Sequence, residues 1–98
     1  MKDARQLEAD GDLLWEVRNG RGMDVRVRIA MGGDPNARDN ASNTALIVAV
    51  KIGRRDVVNA LLECGAAPYL QDNKGLDARA WAVHTGHKKI INLIARHL

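Results

Sequence analysis

Phenylalanine is absent from this chain, and aromatic residues make up only 3% of it. A core must therefore be built from Ala, Val, Ile and Leu, which a hydrophobic content of 46% allows. Cys64 is the single cysteine, which excludes an internal disulfide and points to a reducing, cytoplasmic setting. No apolar run approaches the roughly 18 residues of a membrane span. The opening Met-Lys-Asp-Ala-Arg-Gln has no apolar stretch, so neither a membrane partner nor a signal peptide is expected. Excess charge is small as well. A net +3 bears on solubility more than on partners.

What the chain does have is a period. Gly20, Gly53 and Gly86 fall 33 residues apart, as do Trp15, Val48 and Trp81. Gly32 and Gly65, Pro35 and Pro68, and Asp39 and Asp72 keep the same step. A fixed period in the range of roughly 20 to 50 residues marks stacked units that bury their apolar faces on one another. With 98 residues the chain holds one domain, read as units of about 11–38, 39–71 and 72–98. Residues 1–10 are polar and are expected to form a flexible lead that frays.

The middle unit is the clearest. Asp39 to Asn43 is polar and turn-like, and Thr44 can accept a backbone N–H as a helix cap. Ala45 to Ile52 is almost uncharged and reads as a short buried helix closed by Gly53. A second helix is expected from about Asp56 to Cys64, with Val57, Val58, Ala60, Leu61 and Leu62 in one stripe. Gly65 closes it, and Pro68 forbids continuation. The β-branched content of Leu46 to Val50 leaves a strand as the competing reading. The glycine closing each segment favours two helices and a turn. The first unit repeats the plan with Leu13 to Gly20 and Asp24 to Met31, and the third with Ala78 to Thr85 and Lys88 to His97.

These residues resemble the ankyrin repeat, whose pattern runs roughly D-x-x-G-x-T-P-L-H-x-A-A-x-x-G-H, then an apolar helix ending L-L, then G-A-D-x-N-A. Asp39, Thr44, Leu46, Ala49, Gly53, Val58, Leu61, Leu62, Gly65 and Ala66 match it in the middle unit. Asp72, Gly75, Ala82, Gly86 and His87 match in the third, and Gly32, Asp34, Asn36 and Ala37 in the first. The resemblance covers about residues 11–98 and implies an all-α solenoid of helix–turn–helix units joined by β-turn loops. The chain departs from the pattern at Thr44-Ala45-Leu46-Ile47 and at Asp77-Ala78-Arg79-Ala80, where the turn-bracing His is missing. Ser42 replaces the preferred Gly, and Ala67-Pro68-Tyr69-Leu70 replaces a loop usually rich in Asp and Asn. Weaker bracing of the turns is the expected consequence.

The end units should be polar on their outer faces. Asp24 and Arg28 stand where the middle unit has Val57 and Leu61, and at a spacing of i,i+4 they are expected to pair and face water. Arg79 replaces Leu46 in the last unit, and Lys88, Lys89, Asn92 and Arg96 make the final helix polar on one side. Trp15 and Trp81 sit inside apolar runs and are expected in the core.

Chemistry is sparse. His84, His87 and His97 lack the companions of a closed metal site. Cys64 lies near a helix end with no base in sight. Gly20-Arg21-Gly22 and Gly32-Gly33 lack phosphate-loop spacing. No catalytic, metal or cofactor site is expected. Arg18, Arg21, Arg26, Arg28, Arg54, Arg55, Lys88, Lys89 and Arg96 recur along the chain, but Asp24, Asp56 and Glu63 interleave with them and aromatics for base stacking are scarce. Nucleic-acid binding is thus a distant alternative.

The resemblance implies a monomeric module that binds another protein on the concave side. Carried over, that side is Arg38, Asn40, Ala41 and Asn43 at the first turn tip and Gln71, Asn73, Lys74 and Leu76 at the second. The first helices add Arg18, Asn19, Lys51, Ile52, His84 and Thr85. The runner-up reading is an engineered or designed scaffold with no native partner, since three units with polar ends fill the chain.

Overall fold

The computed structural model describes residues 2–98. Six helices follow one another: α1 (Ala4–Asn19), α2 (Gly22–Ala30), α3 (Ala45–Ile52), α4 (Arg55–Glu63), α5 (Ala78–Thr85) and α6 (Lys88–Ala95). They form three antiparallel pairs. The first helices stack as α1 on α3 on α5, and the second helices as α2 on α4 on α6. The competing strand at Leu46 to Val50 is not formed, since those residues lie inside α3.

Helix ends follow local chemistry. The Thr44 hydroxyl accepts from the Ile47 N–H at the start of α3, and the Asp77 carboxylate accepts from the Ala80 N–H at the start of α5. Gly53 closes α3 at φ 82°, a left-handed conformation that only glycine enters at no steric cost. Each turn is held by its own aspartate. Asp39 Oδ1 accepts from the Ala41 and Asn43 N–H groups, and Asp72 Oδ1 accepts from those of Lys74 and Leu76. Ser42, standing where the family prefers Gly, takes φ 64°, which costs on the order of 1 kcal/mol.

The core runs through all three pairs. Leu13, Val17 and Val25 from the first pair meet Leu46, Ile47, Val50, Val57 and Leu61 from the second, and Ala82, Ile90 and Ile94 continue it in the third. Units are also joined by polar bonds. Arg54 donates to the backbone carbonyls of Arg18 and Gly20 at the end of α1. The Asn36 side chain accepts from the Ala67 N–H one unit on, at 2.7 Å. The Gly22 N–H donates to Asp56 Oδ2 at 2.8 Å.

Three expectations need correction. Residues 4–10, read as part of a fraying lead, extend α1, because Asp3 caps the helix and Ala4, Arg5, Gln6, Leu7 and Glu8 are all helix formers or tolerate it. Met1 lies outside the described residues. This extra length folds over the first loop. Buried Asp10 accepts from Lys2 Nζ, Gln6 Nε2 and the Asp34 N–H, and Gln6 also donates to the Gly32 carbonyl. Second, Asp24 does not pair with Arg28. Asp24 accepts from the Arg21 N–H as a cap of α2, and the Arg28 guanidinium turns to Glu16 and Asp12 on α1. Glu16 and Asp12 stand at the register of Ala49 and Ala45, so this trio replaces the apolar contact that an inner unit makes. Third, Trp15 is 61% exposed rather than core. At the same register Val48 is buried, and Trp81 lies against its own turn through Asp72. The first pair has no turn before it, only the straight run of α1.

Burial alone would raise the Asp10 carboxyl, but its bonds from Lys2, the Asp34 backbone and Gln6 bring it below the ordinary 3.8. Asp39, Asp56 and Asp72 are lowered too. A depressed carboxyl contributes stability above its unfolded value and loses it as pH falls through the folded one. Unfolding free energy measured by urea titration should therefore hold between pH 7 and about 5 and fall steeply below about pH 4. Asp10→Asn should flatten that acid slope. An unchanged slope in this variant would show that the Asp10 cluster contributes nothing.

Candidate functional site: the turn-tip and first-helix face

The two turns and the outward sides of α1, α3 and α5 form one surface tied by a ladder of side chains. Arg18 Nη2 meets Asp39 Oδ2 at 2.8 Å. Asp39 Oδ2 also accepts from the Asn43 amide at 3.3 Å. Asn43 Oδ1 accepts from Lys51 Nζ at 3.0 Å. The same ammonium lies 4.1 Å from the centre of the Trp81 ring, in cation–π range. Trp81 Nε1 then donates to Asp72 Oδ2 at 2.8 Å, and the His84 ring stands edge-on to Trp81 at 5.5 Å. Arg38 Nη1 links the turns, donating to the carbonyls of Ser42 at 2.9 Å and Gln71 at 2.8 Å.

Both aspartates are held ionised. Burial works against Asp39, but the Asn43 backbone and amide, the Ala41 N–H and the Arg18 charge bring its carboxyl down. For Asp72 the Leu76 N–H leads, with burial opposing and the Trp81 indole and the Lys74 N–H adding to the lowering. Their charge is spent inside the turns.

The sequence-derived candidates fall as follows. Arg18, Arg38, Asn43 and Lys51 are members of the ladder, and Gln71 joins it through its carbonyl. Asn40, Ala41, Asn73 and Lys74 are exposed at the tips. Leu76 is half-buried, with its N–H on Asp72, while Ile52 is 46% exposed at the end of α3. Asn19 and Thr85 are exposed and spend side-chain donors on the two Trp carbonyls, of Trp15 and Trp81 respectively. His84 is exposed beside Trp81. Asp39, Asp72 and Trp81 organise the face and were not among the candidates. The signal was available in the 33-residue pairing of Asp39 with Asp72. Leu7 and Trp15, each 61% exposed, were not candidates either: Leu7 fell in the lead read as flexible, and Trp15 was expected in the core.

Other features do not converge on chemistry. Among the described residues no three His, Cys, Asp or Glu side chains gather as a metal site, and no helix is long and apolar enough to cross a membrane. Cys64 is half-buried and unbridged. His87 is half-buried, with its ring about 3.0 Å from where a Gly53 Cβ would stand. A groove of about 770 Å³ bordered by α4 and α6 mixes Arg54, Arg55 and Arg96 with Asp56 and Glu63, and is open and only weakly positive.

Three stacked helix pairs with turns projecting from one edge define a helical-repeat protein. A family model described as ankyrin repeats (3 copies) matches residues 13–97, and the chain belongs to the ankyrin repeat family. A search of curated proteins returns no match. Ankyrin repeats are in general protein–protein interaction modules.

Proposed function

We propose that this chain is a non-catalytic protein-interaction module that holds its partner on the face made by the turn tips and the outward sides of α1, α3 and α5. The observation that carries the reading is the ladder from Arg18 through Asp39, Asn43 and Lys51 to Trp81 and Asp72. It fixes side chains on an exposed face in advance, which lowers the ordering cost of binding. The face is small, so affinity should be modest. The charged outer sides of the end pairs support a monomer, and the unbridged Cys64 supports a reducing compartment such as the cytoplasm.

The test is selection from a displayed random-peptide library on the immobilised parent and on a variant carrying Asn40→Ala, Asn43→Ala, Lys74→Ala and Leu76→Ser. Circular dichroism first shows both folded. Peptides enriched by the parent and lost by the variant are expected. Peptides retained equally by both would put the binding face elsewhere, and no enrichment by either would favour an inert scaffold.

A further inference from the structure

We propose that this face recognises an acidic peptide segment carrying an apolar anchor. The proposal rests on the reading above and deepens it.

The first support is unspent positive charge. Arg38 donates only to carbonyls, Lys51 to an amide oxygen and a ring face, and Lys74 stands exposed at a tip. None of the three is ion-paired with a carboxylate among the described residues, whereas Arg26, Arg28 and Arg54 elsewhere are. The carboxylates of the face, Asp39 and Asp72, hold their turns with Oδ1, while Oδ2 meets Arg18 in the first and Trp81 in the second. With Arg18, Arg38, Lys51 and Lys74 against Asp39 and Asp72, the face carries a net positive charge. Lys51 and Lys74 share one notch of about 230 Å³ between the tips with Asp72, and Asn43 and Asn73 stand on its walls. A carboxylate entering there meets two ammonium groups and amide donors against the one negative charge of Asp72.

The second support is a groove at the other end with one leucine-lined side. Residues 7, 11, 14 and 18 follow one side of α1 by helical spacing. Leu7 and Leu14 line one side of a groove of about 670 Å³ whose other walls are polar, with Lys2 and Arg38 among Asp10, Asp34 and Asp39. Trp15 stands exposed beside this stripe. Arg38 belongs to these walls and also reaches the second turn, so the leucine-lined groove and the basic notch are parts of one track. At roughly 3.3 Å per residue, about twelve extended residues cover the 36 Å long axis of the molecule.

A nucleic-acid strand fits less well. Lys51 lies over the Trp81 ring, which blocks stacking of a base there. The leucine-lined side of the groove suits an apolar side chain better than a phosphate.

Fluorescence anisotropy tests the idea with labelled synthetic peptides of about twelve residues. One is rich in Glu with a Leu pair at one end, the second has Lys in place of Glu, and the third keeps Glu but has Ser in place of Leu. A single-stranded oligonucleotide of matching charge is the fourth probe. The Glu–Leu peptide should bind, and the other two peptides should bind about tenfold more weakly or not at all. Lys51→Glu with Lys74→Glu should weaken the Glu–Leu peptide about tenfold, while Lys88→Glu with Lys89→Glu on α6 should change it less than twofold. Added salt should weaken it as well. Equal binding of the Lys peptide, stronger binding of the oligonucleotide, equal loss from the α6 variant, or no binding of the Glu–Leu peptide would each overturn the proposal. Library peptides that are neutral or basic, yet lost with the turn-tip variant, would overturn it while leaving the interaction face standing.

Discussion

Leu61→Ala should lower the unfolding free energy by about 2 to 5 kcal/mol, read from chemical denaturation. Leu61 is completely buried on α4 in the middle pair. Its register is held by Ile94 in the last pair, also completely buried, and by Arg28 in the first, where no unit packs outside. The substitution removes apolar burial and leaves a cavity that helices fixed on both sides cannot fill by collapse. A domain of this size is stable by about 5 to 15 kcal/mol, so the loss is a large share of the total. Lys74→Ala, at an exposed turn tip, should cost almost nothing in stability. Comparable small losses from the two substitutions would contradict a core shared by three stacked pairs.

Gly22→Ala should destabilise the protein by about 1 to 3 kcal/mol, although helix propensity alone predicts a gain of about 1 kcal/mol. Gly22 opens α2 and is buried against the next unit. A Cβ there would lie 2.7 Å from the Asp56 backbone oxygen and 3.2 Å from its carbonyl carbon. Backbone atoms cannot swing aside as a side chain tip can, so α2 and α4 would have to part. That would also stretch the bond from the Gly22 N–H to Asp56. Gly11→Ala is the matched control. Gly11 lies within α1 with nothing within 4 Å of an added Cβ, and should be stabilised by up to about 1 kcal/mol. One substitution type, two opposite signs, separates inter-unit packing from local propensity. A gain at both positions would mean that α2 and α4 do not approach closely.

The inner parts of the fold were legible because their sequence signals are local. Thr44 and Gly53 bracket α3 from Ala45 to Ile52, and the 33-residue step carries the same span to α5, from Ala78 to Thr85 before Gly86. The first unit was harder. Its period points to Leu13 as a start, whereas the cap at Asp3 and the bonds of Asp10 to Lys2, Gln6 and Asp34 are contacts across the fold. No spacing rule shows that a polar lead is tied to a loop some 24 residues on. Trp15 illustrates the same limit. Its register matched Val48 and Trp81, but register says nothing of whether a turn stands beside it. In the face itself, the position of each candidate followed from the repeat. The direction of each charge did not, because Asp39 and Asp72 look like surface acids until their turns are seen to enclose them.

The most direct measurement is a nitrogen-15 NMR titration of the folded chain with a peptide recovered by library selection. The account predicts that shifts concentrate on the backbone of Asn40, Asn43, Lys51 and Lys74 and on the Trp81 indole N–H, with the α6 amides from Lys88 to Ala95 unmoved. Shifts centred on α4 and α6, with the turn tips silent, would contradict it.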